Sequence, residues 1–144
     1  DAVFFTGQDA AILRAARAAR LVVVTARRAA VVAAAGIAAD VVVGSTNDPR
    51  EARNDYPVAP RALVLTDGAR GGRIETAAGS ERFTAAPAPA VIAGSYGAGD
   101  SFAGALTWYL TAGLPLKAAC ERAGAHGAAV LAGINPLDHQ LALS

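Results

Sequence analysis

Methionine is missing altogether, position 1 included, and there is a single cysteine, Cys120. One cysteine excludes an internal disulfide and fits a reducing, cytoplasmic compartment. Its alanine-rich helical setting suits a small buried hydrophobe rather than a nucleophile. No stretch approaches the roughly 18 uninterrupted apolar residues needed to cross a bilayer, and Asp1 opens into a strand-like segment instead of a basic, then apolar, signal region. No membrane partner is expected. A chain without any methionine is expected to be a processed, excised or engineered piece. A strong excess of either charge is lacking too: 13 basic and 12 acidic residues leave a net charge of +1. The local run Arg14, Arg17, Arg20, Arg27 and Arg28 has no aromatic residues between its members, so it is expected to form the solvated face of a helix and a following turn, with no nucleic-acid partner.

What is present is apolar. At 53% hydrophobic and 17% charged residues, the 144-residue chain is expected to form one domain spanning 1–144. Much of the apolar share is alanine, which buries little area apiece, so stability falls to the Val, Leu, Ile and Phe clusters. Short, unalternating apolar runs from Val3 to Phe5, Leu21 to Thr25, Val41 to Val43 and Leu63 to Thr66 predict strands buried on both faces. Helical stretches from Asp9 to Ala19 and Arg28 to Ala35 separate the first three, with the arginines of the first set opposite Ile12, Ala16 and Ala19. The order βαβαβ predicts an α/β fold with a mostly parallel sheet, in which ligands bind beyond the carboxyl ends of the strands. The alternating stretch from Arg73 to Thr84 predicts a polar hairpin, and Pro87 and Pro89 mark a connection. A helix follows Gly97, with Phe102, Leu106, Tyr109 and Leu110 on one face and a stop at Gly113 and Pro115. A second helix, from Pro115 to about Ala132, reads as apolar nearly all round, hence buried, and ends at Gly133.

The segment from Gly94 to Phe102, GSYGAGDSF, sets three glycines immediately before a helix. Glycines allow close backbone approach, and the first amides of a helix point outward unpaired, where they attract an anion. A P-loop would follow the last glycine with lysine, whereas this chain has Asp100. A carboxylate repels a bound phosphate but suits the acceptance of a proton from an attacking hydroxyl while neighbouring amides hold the charge on a transferring phosphoryl group. Residue by residue, the alternative is that Asp100 caps the helix. A serine-hydrolase elbow at Ser95 is a poorer match, because Ala93 replaces its first glycine and Asp138 and His139 are adjacent.

YGAGDSFAGAL resembles the C-terminal signature of the PfkB, or ribokinase-like, carbohydrate kinases, D-T-x-G-A-G-D-x-F. The resemblance implies a Rossmann-like three-layer α/β/α sandwich, an anion hole formed by Gly97, Ala98 and Gly99, and Asp100 as catalytic base. The stretch from Thr66 to Gly71, TDGARG, resembles the family's turn around the ATP phosphates, so Thr66, Gly68 and Gly71 are expected at the nucleotide; on its own the stretch reads more often as an ordinary hairpin turn. Val41 to Asp48 resembles the strand and N-x-x-E motif that organises magnesium and water, which points to Ser45 at the ATP site and Asp48 at Mg2+. Shifting by two instead gives Asn47 and Glu51, an N-x-x-x-E with one residue too many, and capping by Ser45 or Asp48 is the alternative. Gly94 stands where relatives carry an aspartate that many use in a monovalent cation site, so no potassium requirement is expected. His126 and Asn135 fall in the region that lines the adenine in relatives, with a purely structural histidine as the alternative.

The resemblance covers almost the whole chain but only the C-terminal half of a typical member, so a partial fold lacking the N-terminal half and the lid is expected. The implied function is ATP-dependent phosphoryl transfer to a hydroxyl of a small-molecule substrate such as a sugar or nucleoside. The rival reading is a non-catalytic isolated or engineered half-domain. Its uncovered strand edge and apolar helix surface would associate with another copy, as a homodimer, or with the missing half.

Overall fold

The computed structural model describes residues 1–52 and 55–144. Backbone packing divides the chain into two compact units, one of Asp1–Asp67 with Arg73–Glu81 and one of Gly68–Gly72 with Arg82–Ser144. Six strands form one sheet in the order β1 to β6: Ala2–Phe5, Leu21–Thr25, Val41–Ser45, Ala62–Thr66, Gly72–Thr76 and Gly79–Phe83. The first four are mutually parallel, with Val24 opposite Val42 and Val42 opposite Leu63. Strands β5 and β6 are joined by residues 77–78, the predicted hairpin.

In the first unit the valine runs behave as β-branched residues should. Val22, Val23 and Val24 are all fully buried, so both faces of β2 are covered and polar alternation has no place there. Helices α1 (Ala10–Ala16) and α2 (Ala29–Ala35) supply Leu13, Val32 and Ala35 to a core shared with Phe5, Val22, Val24 and Val42. Helix α1 begins at Asp9, whose Oδ1 accepts the amides of Ala11 at 2.7 Å and Ile12 at 3.4 Å.

Arg14, Arg20 and Arg27 are exposed as expected, but Arg17 departs from the solvated face. Helix α1 stops at Ala16, so Arg17 lies at its end, and Leu13 rather than Ile12 is the residue turned inward: Ile12 is 61% exposed and Leu13 fully buried. Arg17 reaches the buried carboxylate of Asp40, donating from Nη1 at 2.7 Å, and also donates to the carbonyls of Ala19 and Ala38. Asp40 Oδ2 accepts the amide of Val22 at 2.7 Å, and Oδ1 pairs with Arg61 at 3.2 Å. One carboxylate thus ties the starts of β2, β3 and β4 together.

The second unit contains an antiparallel helix pair, α4 (Ala98–Thr111) and α5 (Leu116–Val130). Helix α4 ends in a Schellman motif: the amides of Gly113 and Leu114 donate to the carbonyls of Leu110 and Tyr109, with Gly113 at φ 92°. Phe102, Leu106 and Tyr109 are buried as expected, and Phe102 stacks on Phe83 with centroids 6.1 Å apart. Helix α5 is not buried all round. It buries one face, Ala119, Cys120, Ala123, His126, Gly127 and Val130, while Lys117, Arg122 and Ala125 are exposed. Among the described residues no helix is long and apolar enough to cross a membrane.

Replacing Asp40 with alanine leaves the Val22 amide without its acceptor and Arg17 without its counter-ion. The expected cost is about 3 kcal/mol, measured by chemical denaturation; a loss under about 1 kcal/mol would show that Asp40 does not carry the strand junction.

Candidate functional site

The start of α4 is shaped by what it lacks. Its N-cap is Gly97, at φ 85°, and no side chain caps the helix; the carbonyl of Gly97 accepts the amide of Ser101 at 2.9 Å, closing the first turn. Asp100 is the third helical residue, inside that turn and exposed, so it is not the cap. The positive φ favours glycine at position 97, and a Cβ there would lie 2.6 Å from Cβ of Pro136. No side chain accepts the first-turn amides, and the helix dipole adds partial positive charge at the same end.

Gly97 and Asp100 line one cleft of about 430 Å³ with Tyr96, Ser101, Gly104, Ala105 and His126 on one side and Pro136, Leu137, Gln140, Leu141 and Leu143 on the other. Ala98 and Gly99 belong to the same first turn but do not line the cleft, and the Ala98 amide donates to the Ser95 carbonyl at 3.3 Å. Such an arrangement fits a phosphate at the helix start beside a carboxylate that can take a proton. His126 is buried: its Nε2 lies 3.0 Å from the Tyr109 hydroxyl, and burial pushes its pKa below the ordinary histidine value. Asn135 does not line the cleft; its Oδ1 accepts the amide of Leu137 at 3.0 Å, and its carbonyl accepts that of Asp138 at 3.1 Å.

The remaining expected residues lie at the carboxyl ends of β3 and β4 or just after. In the first unit, Thr66 donates its hydroxyl to the Gly44 carbonyl at 3.2 Å and its own carbonyl accepts the Thr46 amide at 2.9 Å. The Thr46 hydroxyl donates to Asp67 Oδ1 at 2.8 Å, a pairing that the Thr66 motif did not signal. Ser45 Oγ accepts the amide of Asn47 at 3.2 Å. Asp48, the metal ligand expected, accepts Arg50 Nε on Oδ1 at 3.0 Å and Arg50 Nη2 on Oδ2 at 2.8 Å, and those bonds hold its pKa down at about 2. The carboxylate turned toward the strand end is Glu51, which accepts the Ser45 amide at 2.9 Å and pairs with Arg27 at 3.1 Å; desolvation pushes its pKa up. Helix α3 (Pro49–Ala52) is one turn, enough to bring Glu51 back over β3 despite the extra residue in its motif. Among the described residues no three His, Cys, Asp or Glu side chains are grouped to hold a metal ion. In the second unit, Gly68 (φ 55°) and Gly71 (φ 84°) bracket a short 3-10 turn closed by the Gly71 amide on the Gly68 carbonyl at 3.1 Å.

The family model for pfkB family carbohydrate kinases matches residues 8–136. No curated protein matches the chain. Among solved structures, the chain is similar to a Burkholderia thailandensis nucleoside kinase in complex with inosine, at TM-score 0.73 and 19% identity, covering 91% of this chain and 46% of that one. A Methanocaldococcus jannaschii nucleoside kinase, an archaeal member of the ribokinase family, superposes at TM-score 0.74 with 14% identity over 96% and 52% of the two chains. Aminoimidazole riboside kinase from Salmonella enterica, complexed with aminoimidazole riboside and an ATP analog, gives TM-score 0.68 and 19% identity over 90% and 51%. The fold is thus the expected ribokinase-like α/β fold, and the chain spans about half the length of these relatives.

The buried His126 makes a pH prediction. Its folded pKa lies below 6.5, so as pH falls through that value the unfolded chain takes up the proton first. The histidine's contribution is complete above about pH 6.5 and is lost as pH falls from there toward the folded pKa. His126→Gln should flatten the decline of Tm between pH 7 and 5 relative to the parent; parallel Tm curves would rule the histidine out as the cause.

Proposed function

Because the chain belongs to the pfkB family of carbohydrate kinases, we propose that it supplies the nucleotide site, anion hole and catalytic base of an enzyme that transfers the γ-phosphoryl group of Mg-ATP to a hydroxyl of a sugar, nucleoside or related small molecule. The observation that carries this reading is the first turn of α4, where an N-cap without a side chain and the carboxylate of Asp100 line one cleft. Asp100 takes the proton of the acceptor hydroxyl as its oxygen forms the new bond to phosphorus and the bond to ADP breaks. The amides of the turn from Gly97 to Gly99 hold the charge on the transferring group. Thr66, Gly68, Gly71 and Ser45 are the proposed nucleotide contacts, with His126 supporting the cleft from α5. Asn135 acts through the turn it forms.

Magnesium neutralises phosphate charge when bound and keeps most of its own water, so it is proposed to arrive with the nucleotide rather than in a protein cage. Glu51, held by Arg27 and the Ser45 amide, is the carboxylate better oriented to order that water than Asp48. The relatives with inosine and with aminoimidazole riboside support an acceptor carrying a ribosyl hydroxyl.

Asp100→Asn tests the base. In the intact enzyme, kcat should fall by about 10²- to 10⁴-fold. ADP affinity should hold or tighten, since a negative charge leaves the phosphate site, and Tm should stay near that of the parent because Asp100 is not the cap. A variant retaining most of its kcat would remove Asp100 from the mechanism.

A further inference from the structure

The C-terminal segment is a wall of the same cleft. Residues 134–144 form no helix or strand, yet the first part of the segment is tightly self-bonded: the Asn135 amide donates to Asp138 Oδ2 at 3.4 Å, and the Leu137 amide to Asn135 Oδ1 at 3.0 Å. Gln140 then folds back, donating from Nε2 to the Pro136 carbonyl at 2.8 Å, while its Oε1 accepts the Ser101 hydroxyl at 2.8 Å. Pro136 lies against Gly97, the cap of α4. The bond between Ser101 and Gln140 therefore joins the residue next to Asp100 to a segment thirty-nine positions away. Leu137, Leu141 and Leu143 face the cleft on that segment while remaining 74%, 47% and 46% exposed, an apolar wall ready for a ligand to cover.

We infer that Ser101 is a positioning residue whose hydroxyl, through Gln140, latches the segment 134–143 as the wall of the cleft that Asp100 lines, so that ligand binding at the start of α4 depends on the latch. The inference rests on the nucleotide reading above for its probe. An unlatched segment withdraws both the leucine wall and the Pro136 contact from Gly97, and the ligand must order the segment as it binds.

The experiment compares Ser101→Ala, Gln140→Ala, the double variant and Ser101→Thr in the full chain, with ADP binding by calorimetry and hydrogen exchange followed across 134–143. Both alanine variants should speed exchange in that segment and weaken ADP binding by roughly three- to tenfold, the worth of one hydrogen bond. The double variant should be no weaker than Gln140→Ala, which also loses the bond to the Pro136 carbonyl, and threonine, which keeps the hydroxyl, should restore both readouts. Gln140 is exposed, so its variant is not at risk of failing to fold. Faster exchange with unchanged ADP affinity would overturn the inference and leave the nucleotide reading standing, as would losses that simply add in the double variant. Failure of the parent to bind ADP would overturn the nucleotide reading and this inference with it.

Discussion

Gly127 of α5 lies against the first turn of α4: a Cβ at that position would sit 3.0 Å from the Ala98 carbonyl and 3.4 Å from Cβ of Phe102. The two helices meet there at backbone distance, and every later feature of the cleft depends on it. A larger residue would push the first turn away from α5 and with it Gly97, Asp100 and Ser101. One turn earlier on α5, Ala123 is fully buried on the face that also presents His126. Small residues at this crossing do what large ones do in leucine-rich pairs, by letting Phe102, Leu106 and Tyr109 close over the groove. The alanine content that supplies little buried area per residue thereby gains a role in placing a helix end.

Buried and half-buried charge in the first unit is divided between the two ends of its strands. At the amino ends, Asp40 has both oxygens occupied by a backbone amide and two arginines, which leaves no capacity for a ligand. At the carboxyl ends, Glu51 and Asp48 also meet arginines, but Arg27 remains 47% and Arg50 84% exposed in their side chains. Pairs that open to water are weak and exchangeable. An anion can compete for Arg50, whereas drawing Arg17 from Asp40 or Arg27 from Glu51 takes a partner from a carboxylate only 8% or 11% exposed. Of these pairs the one most open to water on both partners, Arg50 with Asp48, lies at the end of the sheet where α/β folds bind ligands.

The strands were legible because valine runs leave few alternatives: β-branched side chains in unbroken groups mark strands covered on both faces, and β1 to β4 pair in parallel as that pattern requires. The helix after Gly97 was legible from its glycines and from the spacing of Phe102, Leu106 and Tyr109. Alanine obscured the rest. It counts as apolar at every position yet is tolerated in water, so α5 read as buried all round when only one face is. The arginines of α1 recur at a spacing that looks solvated, and nothing local reveals that the helix ends at Ala16 and turns Arg17 toward Asp40. Of the site, the first turn and Asp100 were readable from local order. The pairing of Thr46 with Asp67, the return of Glu51 over β3 and the bond from Ser101 to Gln140 were not, because each is created by the fold and leaves no period in the chain.

Two helix starts in this chain show how stability and binding make opposite demands on the same backbone groups. Helix α1 begins with Asp9, whose side chain accepts two of the free amides and closes that end to any other anion. Helix α4 begins with Gly97, which accepts none. A side-chain cap is worth about 1 kcal/mol over an apolar residue, and glycine forgoes only a few tenths of that. The small sacrifice leaves the first turn without a side-chain acceptor, as the proposed anion hole requires. It also explains why a carboxylate belongs at the third position rather than at the cap. At the cap it would satisfy the amides permanently, whereas at Asp100 it lies within the same turn and lines the cleft. In the proposed mechanism, an open helix start and a carboxylate three residues past the cap are therefore two parts of one arrangement, and each has chemical use only in the presence of the other.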